Sequence, residues 1–473
     1  MDPQLRERSA LVALLRLPGA QWQETAQEVL EADSAVDVLA RRLRPQEVLF
    51  TEGDPVEEAI EEAARDVTAW QAEGLGVHAF FDPRYPAQLR EIHQMPPILF
   101  TRGALAEDRR AIAVVGTRQA SPEGLRIADT VACELAADGV TVVSGLARGI
   151  DTAAHRAALR AGGRTVAVIG TGIRRHYPAE NRELQEQITR QGLVISQFWP
   201  DAPPHKRSFL MRNAVMSGYA AATLVVEAPW RSGARSQAGL ALAHGRPVII
   251  TDRLLEHDWA RDFARRPGVH VVHSAAEMLD VANTLIRRAE ISPDSLSEAP
   301  PLPGRDPVAP LRAWLAEHAQ YLRNPLPAGA GICMTCRGPA GSSFLRCIPC
   351  DKHFRAAPDS MADVVAPISY AHAHEQHMHD LRTYKWRTPP EISRSRLLSL
   401  LVVFLADHGR CLVEAAGGTA PSAAAVVPST KGRPGLHPLR TLIGDRLGLP
   451  GCRSPPGRGR TARAARSSGT DSA

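Results

Sequence analysis

The residues best suited to chemistry lie in three glycine-containing turns, each directly after a short apolar run. The turns are Gly116-Thr117-Arg118, Ser144-Gly145 and Gly170-Thr171-Gly172. Glycine lets a ligand approach the backbone closely because it has no Cβ. Arg118 would add a charged fork that suits phosphate, and a helix beginning at Ser121-Pro122 would present N–H groups to the same anion. The turns therefore predict a phosphate-bearing ligand.

A nicotinamide dinucleotide is not favoured. Gly170-Thr171-Gly172 lacks the third glycine of the dinucleotide fingerprint, and Ser144 stands where that fingerprint has a ribose-binding carboxylate. The three turns are better explained by a ligand that contacts backbone along one edge of a sheet.

Polar residues near these turns are assigned structural roles. Asp151 and His155 lie four residues apart at a predicted helix start. We expect Asp151 to cap that helix and His155 to pack beneath the loop. Tyr177-Pro178 and Asn181 predict a turn that the Asn181 amide fixes. Catalysis would need a nucleophile or metal that the sequence does not offer here, so no catalytic residue is assigned.

Four of the seven cysteines follow the spacing Cys333-x2-Cys336-x10-Cys347-x2-Cys350. Two thiolate pairs on two turns suit tetrahedral zinc, and the lack of a secretion signal favours metal over disulfides. We predict a structural zinc ion in a zinc-ribbon-like module. A nearby histidine group fits either a metal site or an exposed helix or loop; it comprises His372, His374, His377 and His379.

Alternating apolar runs and helical stretches must position these residues. The runs typical of strands are 111–116, 141–144, 165–170, 193–197, 223–227, 247–251 and 269–273. Helical patterns lie between them, the first at 121–137. Continuous β-branched runs separated by helices predict a mostly parallel sheet covered on both faces, which is a doubly wound, Rossmann-like α/β fold. The carboxyl ends of such strands meet at one edge, so the three glycine turns should meet there.

Composition divides the chain into six segments. A helical N-terminal domain is predicted at 1–72 and the Rossmann-like domain at 73–290. A linker rich in Pro, Ser and Asp follows at 291–330, then the zinc-ribbon-like module at 331–358 and a mixed segment at 359–450. The last segment, 451–473, is predicted to be a disordered basic tail.

The charge distribution limits how nucleic acid would be bound. The net charge is +5, but the 451–473 tail holds five Arg and one Asp, so the rest of the chain carries +1. Any DNA site must depend on local clustering of cations. No apolar run is long enough to span a bilayer and no signal peptide pattern is present. A cytoplasmic protein without membrane contact is expected.

Several motifs occur in a characteristic order. They read VVGTR, VVSGLARGIDTAAHRAAL, VAVIGTGIRRHYPAEN, SFLMRN and VVEAPWRSGA, and they follow the upstream segment DPRYPAQLREIHQMPPILFTRG. In this order and spacing they resemble the signatures of the DprA/Smf family of bacterial DNA-processing proteins. The resemblance extends from about residue 11 to residue 285 and is strongest between residues 82 and 245.

The resemblance implies a DNA-binding Rossmann-like domain at 73–290 that forms a homodimer, coats single-stranded DNA and helps to load the RecA recombinase in natural transformation, without enzyme activity. The motifs place these residues in its nucleic-acid pocket: Gly116, Thr117, Arg118, Lys206, Phe209, Arg212 and Asn213. The glycine turns add Ser144, Gly145, Gly170 and Gly172. Arg and Lys neutralise phosphates, and Phe209 offers a face on which a base can stack.

The sequence departs from the family pattern at two positions near the pocket. Gln197 follows Ser196 where the family usually has Glu, and Ala214 follows Asn213 where the family usually has Arg. We expect these two departures to change the affinity for DNA more than they change the fold. Residues 331–447 resemble ComF-type phosphoribosyltransferase relatives, but the acidic pair and Thr-Gly-Thr-like loop of a transferase are absent. The 359–450 segment is therefore expected to be a truncated domain without transferase activity.

Two other functions stay open. The first is a nucleotide-binding or nucleoside-monophosphate-cleaving enzyme on the same fold, in which Glu227 would be the pocket acid. The PGGxGT-type loop of such enzymes is absent from this sequence. The second is an interaction scaffold whose zinc module recruits a partner.

Overall fold

The computed structural model of the chain describes residues 1–43, 54–230, 232–290, 308–322, 329–334, 339–341, 344–356, 368–369, 371, 375–384 and 390–415. The chain divides into two compact units. The first comprises Met1–Pro325, Ile368–Thr383 and Thr388–Val403, and the second comprises Leu326–Pro367, Tyr384–Arg387 and Phe404–Ala473. The predictions made for Cys336, His372, His374 and the 451–473 tail lie outside the described residues.

The N-terminal part is helical, as predicted. Its helices are α1 (Pro3–Arg16), α2 (Trp22–Ala32), α3 (Ala35–Leu43) and α4 (Pro55–Ala72). Asp2 caps α1, since its carboxylate accepts a hydrogen bond from the Leu5 N–H at 3.1 Å. The leucines at helical spacing in α1 are buried, which explains why the periodicity of this stretch predicted its helix correctly.

A nine-stranded sheet forms the centre of the first unit. Its strands are β1 (Gly76–Ala79), β2 (Ile98–Gly103), β3 (Ala111–Val115), β4 (Thr141–Ser144), β5 (Thr165–Val168), β6 (Leu193–Ser196), β7 (Ala222–Val225), β8 (Val248–Thr251) and β9 (Val269–Val272). They are arranged in the order β1-β2-β6-β5-β4-β3-β7-β8-β9. The strands from β3 to β9 pair in parallel, whereas β2 is antiparallel to both of its neighbours.

Helices connect the parallel strands and cover the sheet. They are α5 (Pro122–Ala137), α6 (Ile150–Arg160), α7 (Arg182–Gln191), α8 (Lys206–Tyr219), α9 (Gly233–Ala243), α10 (Asp258–Ala264) and α11 (Ala275–Glu290). Three 3₁₀ turns occur at Ala87–Glu91, Ala179–Asn181 and Asp252–Glu256. Strands β4 to β6 extend from one side of β3, and the chain then crosses to β7 on the other side. The predicted doubly wound, Rossmann-like fold is confirmed, and its topological switch point lies between β3 and β7.

Beyond α11 the described residues form six further elements. These are α12 (Ala309–His318), the antiparallel pair β10 (Gly331–Ile332) and β11 (Pro339–Gly341), and the helices α13 (Ile348–Ala356), α14 (Gln376–Thr383) and α15 (Glu391–Ala415). Among the described residues, no helix is long and apolar enough to cross a membrane.

Helices α12, α14 and the first half of α15 belong to the first unit. Arg396 on α15 is 2% exposed; its Nη1 lies 3.4 Å from Asp380 Oδ1 and its Nη2 donates to the His244 carbonyl at 2.8 Å. Gln376 on α14 donates to the Glu91 carbonyl at 2.7 Å. The predicted linker at 291–330 therefore contains a packed helix, and the predicted 359–450 segment contributes helices to the first unit. Composition missed both because the partners of these helices lie far away in sequence.

Several histidines are buried in the first unit. Burial lowers the pKa of His78 to about 4 and that of His155 to about 3. His155 Nδ1 lies 2.7 Å from Thr165 Oγ1, and that hydroxyl donates its own proton to the Val142 carbonyl. The Thr165 oxygen must therefore accept from the imidazole, which places a proton on Nδ1, and the lowered pKa keeps the ring neutral near pH 7.

These histidines predict a loss of stability in mild acid. The pKa values of these histidines in the folded state lie below the unfolded value of about 6.5. Their contribution to the free energy of unfolding is therefore complete above that pH and is lost as the pH falls below it. Each such histidine adds up to about 1.4 kcal/mol per pH unit to the slope of the free energy of unfolding against pH. Urea denaturation should give a lower free energy of unfolding at pH 5.5 than at pH 7.5, and His155→Gln should make the slope shallower. An unfolding free energy independent of pH over this range would contradict the prediction.

Candidate nucleic-acid interface

The carboxyl ends of β3, β4, β5 and β7 lie side by side in the sheet, and we call this side the carboxyl edge. The loops that follow these strands contain the glycine turns, and α8 begins here. In open α/β sheets, ligands bind outside the carboxyl ends of the strands, close to the switch point. The fold therefore brings the predicted turns together at the edge where a ligand is expected.

Phe209 lies at the carboxyl edge next to a cation and a second ring. The Cζ atom of Arg118 is 5.4 Å from the centroid of the Phe209 ring, within the range of a cation–π interaction. The Tyr177 ring centroid is 5.5 Å from that of Phe209, with 40° between the ring planes. Arg118 is exposed, Phe209 is half-buried and Tyr177 is 42% exposed. We call these three residues the Phe209 cluster.

Two glycines that follow β5 allow close packing at the carboxyl edge. A Cβ atom on Gly170 would lie 2.5 Å from Cδ1 of Phe209, so the ring rests directly on the glycine backbone. A Cβ atom on Gly172 would lie 2.3 Å from the Pro200 carbonyl oxygen. Both glycines are buried, and their role is close packing inside the protein, not the ligand contact that we predicted.

The first turn of α8 adds positive charge beside the cluster. Lys206 and Arg207 are exposed, and neither forms an ion pair within the described part of the chain. His205 caps the helix, its Nδ1 accepting from the Arg207 N–H at 3.3 Å. Lys206 precedes Phe209 by three residues and thus lies on the same side of the helix. The cations and rings therefore form one local patch, although the chain outside the 451–473 tail carries a net charge of only +1.

Arg212 is predicted to contact DNA, but the structure buries it. Arg212 is only 6% exposed. Its Nη1 atom donates to the carbonyl of Gly145 at 2.6 Å and to the carbonyl of Val168 at 2.7 Å. Burial lowers the pKa of Arg212, which the nearby Asp151 carboxylate opposes. A Cβ atom on Gly145 would lie 1.9 Å from Nη1. Arg212 therefore joins α8, the helix that contains Phe209, to the ends of β4 and β5.

The start of α5 is not the open anion site that we expected. Glu227, two residues beyond β7, already occupies it: its carboxylate accepts from the Ser121 N–H and from the Ser121 hydroxyl, both at 3.0 Å. Ser121 does cap the helix as predicted, its Oγ accepting from the Gly124 N–H at 3.0 Å. The bound carboxylate also removes Glu227 from the role of a free pocket acid.

The central part of the chain matches the family model described as DNA recombination-mediator protein A, over residues 76–289. Residues 76–289 are thus similar to proteins of the DprA/Smf family. Protein Smf from Synechocystis sp. is 36% identical over 233 residues, which is 47% of this chain and 56% of that protein. DNA processing protein DprA from Streptococcus pneumoniae is 41% identical over 172 residues, 36% of this chain and 61% of that protein. The chain thus spans less than two thirds of each of these relatives.

Solved DprA structures are also similar to this chain. The structure of DNA processing protein A from Streptococcus pneumoniae has a TM-score of 0.44 and 29% identity, covering 59% of this chain and 95% of that chain. The one from Helicobacter pylori, reported for its mode of binding single-stranded DNA, has a TM-score of 0.40 and 25% identity, covering 45% of this chain and 96% of that chain.

Other residues predicted in the DprA/Smf pocket are also internal. Ser144 is fully buried and its hydroxyl donates to the Val114 carbonyl at 2.7 Å. Asn213 is 7% exposed, and its Oδ1 accepts from Arg212 Nε at 3.2 Å. The Thr117 N–H donates to the Glu227 carbonyl at 2.7 Å. Gly116 is half-buried, and a Cβ atom there would lie 2.3 Å from the Ile150 side chain. These four residues shape the edge from within, whereas Arg118, Tyr177 and Lys206 are exposed there.

Three of the polar residues that were assigned structural roles are buried beside the edge: Asp151, His155 and Asn181. Asn181 Nδ2 donates to the Leu146 carbonyl at 3.0 Å and to Thr152 Oγ1 at 2.8 Å. Leu146 has a φ of 56°, a left-handed conformation that is uncommon outside glycine, and the Asn181 amide stabilises it. Asp151 does not occupy the cap position of α6, which Gly149 holds. The Asp151 carboxylate instead accepts from the Ala147 N–H at 3.3 Å, and burial raises its pKa.

Sequence reasoning missed Tyr177 as part of the interface. Its position after Gly170-Thr171-Gly172, at the same edge as Arg118, was the available signal. The turn at Tyr177-Pro178 drew attention to its backbone, whereas the packing of its ring on Phe209 depends on α8, more than 25 residues later in the chain.

Three of the four predicted zinc ligands lie together in the second unit. The Sγ atoms of Cys333, Cys347 and Cys350 are all within 4.8 Å of one another. Tetrahedral zinc with Zn–S bonds of about 2.3 Å needs sulfur atoms about 3.8 Å apart, so this arrangement fits the metal. Cys333 is buried next to β10, and Cys347 and Cys350 lie at the start of α13. The fourth predicted ligand, Cys336, is outside the described residues.

The Arg212 contacts predict a strong effect of a methyl group on Gly145. Gly145→Ala would displace the buried guanidinium and should lower the free energy of unfolding by about 1–3 kcal/mol. Gly239→Ala is the matched control, because nothing lies within 4 Å of its Cβ position on α9, and it should be neutral or slightly stabilising. Urea denaturation of both variants measures this difference; equal stabilities would show that Arg212 does not hold the edge together.

Proposed function

We propose that this protein binds single-stranded DNA at the Phe209 cluster and acts in DNA processing as a mediator of homologous recombination. The observation that supports this function is the exposed Arg118 guanidinium 5.4 Å from the Phe209 ring at the carboxyl edge. A cation beside a ring offers phosphate neutralisation and base stacking in one place. These are the two interactions that sequence-tolerant binding of single strands requires.

Unpaired DNA fits this cluster better than duplex DNA does. Stacking on Phe209 or Tyr177 needs a base whose face is free, and the bases of a duplex already stack on one another. Arg118 and Lys206 would contact the phosphates on either side of such a base. The match to the DNA recombination-mediator protein A model, and relatives named for DNA processing, agree with this ligand.

The finer parts of the proposal follow from the similarity to the DprA/Smf family. The protein would act in the cytoplasm as a homodimer, coat incoming single strands during natural transformation and help to load the RecA recombinase. It would do so without catalysing a reaction. Within the described residues, the acid that a nucleotide-cleaving enzyme would need, Glu227, is bound to Ser121, which favours the binding function over the enzymatic alternative.

Equilibrium binding to fluorescent oligothymidine tests the function. The wild-type protein should bind dT20 more tightly than a duplex of equal length. Arg118→Ala and Lys206→Ala should each weaken binding and flatten the plot of log K against log salt by about 0.7, the value for one phosphate contact on a single strand. Phe209→Ala should weaken binding by about 1–3 kcal/mol with no change in that slope.

Arg265→Ala is the control for the loss of one positive charge. Arg265 is exposed and lies between α10 and β9, at the opposite edge of the sheet. The Arg265→Ala variant should therefore bind dT20 with the affinity of the wild type. Equal affinity of the wild type for single-stranded and duplex DNA would refute the proposed function. Unchanged affinity in both Arg118→Ala and Lys206→Ala would show that the binding site lies elsewhere on the protein.

The cysteine cluster is proposed to hold a structural zinc ion. Cys333, Cys347 and Cys350 would supply three thiolates and Cys336 the fourth. A zinc ion bound in this way stabilises the small surrounding fold, because two strands and a short helix bury little apolar surface by themselves.

Metal analysis of the purified full-length protein tests this site. About one zinc ion per chain is expected, and Cys347→Ser should lower the zinc content and the protease resistance of residues 331–358. Cys133→Ser is the matched control, since Cys133 lies on α5 in the first unit. The proposal is wrong if protein prepared in the presence of zinc contains no zinc and all of its cysteines react with a thiol reagent.

A further inference from the structure

Trp230 is an exposed tryptophan at the carboxyl edge that the Phe209 cluster does not include. It lies in the loop between β7 and α9, and 57% of the residue is exposed. The other tryptophans of the described residues are buried or half-buried. A large ring that stays in water at a ligand-binding edge requires an explanation.

Arg235 holds this ring in place. Its Cζ atom lies 4.0 Å from the centroid of the Trp230 ring and 5.8 Å from that of Trp259. Its Nη1 donates to the Trp230 carbonyl at 3.4 Å. Trp259 in turn donates from Nε1 to the Ala228 carbonyl at 3.2 Å, which ties the same loop to α10. Trp230 is therefore fixed before any ligand arrives, and this lowers the entropic cost of stacking on it.

The Trp230 loop adjoins the loop that contains Arg118. Strands β3 and β7 are neighbours, and the two loops continue the pairing: the Thr117 N–H donates to the Glu227 carbonyl at 2.7 Å. Trp230 follows Glu227 by three residues. The position of Trp230 is thus the switch point of the sheet, where ligands of doubly wound folds bind.

We infer that Trp230 and Arg235 form a second base-stacking site for the single-stranded DNA bound at the Phe209 cluster. One face of the indole would stack on an unpaired base, and Arg235 would contact an adjacent phosphate. Within the described residues, Arg235 forms no ion pair with a carboxylate, so its charge is available to a phosphate. This inference rests on the proposed function, and it extends the bound strand across the switch point.

The sheet sets the distance between the two sites. Phe209 rests on Gly170, which follows β5, and Trp230 follows β7. Three steps between neighbouring strands, each about 4.8 Å, separate β5 from β7, which gives about 14 Å along the edge. A strand that spans both sites therefore needs several nucleotides, and its phosphates would pass Arg118 on the way.

Substitutions that separate ring, volume and charge test the second site. Trp230→Leu keeps an apolar side chain but has no aromatic face, and it should weaken dT20 binding about fivefold or more without changing the salt slope. Trp230→Phe keeps a ring and should bind within about twofold of the wild type. Arg235→Gln should weaken binding and flatten the salt slope by about 0.7. Circular dichroism melts of each variant show that the fold is intact.

Tryptophan fluorescence gives an independent measurement. Stacking of a base on Trp230 should quench part of the emission when dT20 is added to the wild type. Trp230→Phe should still bind but lose that part of the quenching.

The outcomes distinguish this inference from the proposed function. The second site is refuted, and the proposed function is supported, by the following combination of results. Phe209→Ala weakens dT20 binding, Trp230→Leu binds dT20 with wild-type affinity, and dT20 quenches the emission of Trp230→Phe as much as that of the wild type. If the wild type does not bind dT20, both are refuted. Loss of affinity in Trp230→Leu, with near-normal affinity in Trp230→Phe, supports the second site.

Discussion

The buried guanidinium of Arg212 determines where the exposed groups of the carboxyl edge lie. It is almost inaccessible, and it donates from one nitrogen to the carbonyls of Gly145 and Val168, at the ends of two neighbouring strands. Burial of a charge is costly unless hydrogen bonds and an opposite charge compensate it. Here the strand-end carbonyls and the Asp151 carboxylate do so. Because Arg212 and Phe209 are three residues apart on α8, fixing the first also fixes the second.

The same contact explains the small residues of the edge. Gly145 leaves room for the guanidinium and Gly170 leaves room for the Phe209 ring. The glycines thus allow α8 to approach the strand ends, so that a cation and two rings reach the surface. Without that approach, Phe209 on α8 would lie apart from Arg118 in the loop after β3, and the proposed site for stacking and phosphate binding would not form.

At the start of α5, positive charge available to a ligand comes from side chains and not from the helix. The Glu227 carboxylate accepts from the Ser121 N–H and from the Ser121 hydroxyl there, so a negative charge already lies at the positive end of that helix dipole. Positive charge is left with Arg118, Lys206, Arg207 and Arg235. Flexible cations beside rings tolerate any base sequence, whereas a fixed cradle of backbone N–H groups would select one phosphate group of a defined small ligand.

Sequence by itself determined the doubly wound fold and each of the seven strands of its parallel part. Buried parallel strands are continuous apolar runs, and the helices between them have caps such as Ser121-Pro122, so both signals are local. Sequence also selected Arg118, Lys206 and Phe209 as candidates for the site, because their motifs are contiguous. It did not determine which polar residues of those motifs face the solvent: Ser144, Arg212 and Asn213 belong to the same motifs and are buried.

Only the tertiary structure decided the contacts between loops that are distant in the chain. Tyr177 meets Phe209, Glu227 meets Ser121, and the Trp230 loop meets the Arg118 loop because strand order places them side by side. The packing of α14 and α15 on the first unit is of the same kind, since Arg396 bonds to His244 some 150 residues earlier. Strand order across a switch point is a property of the whole sheet, and no local pattern of residues contains it.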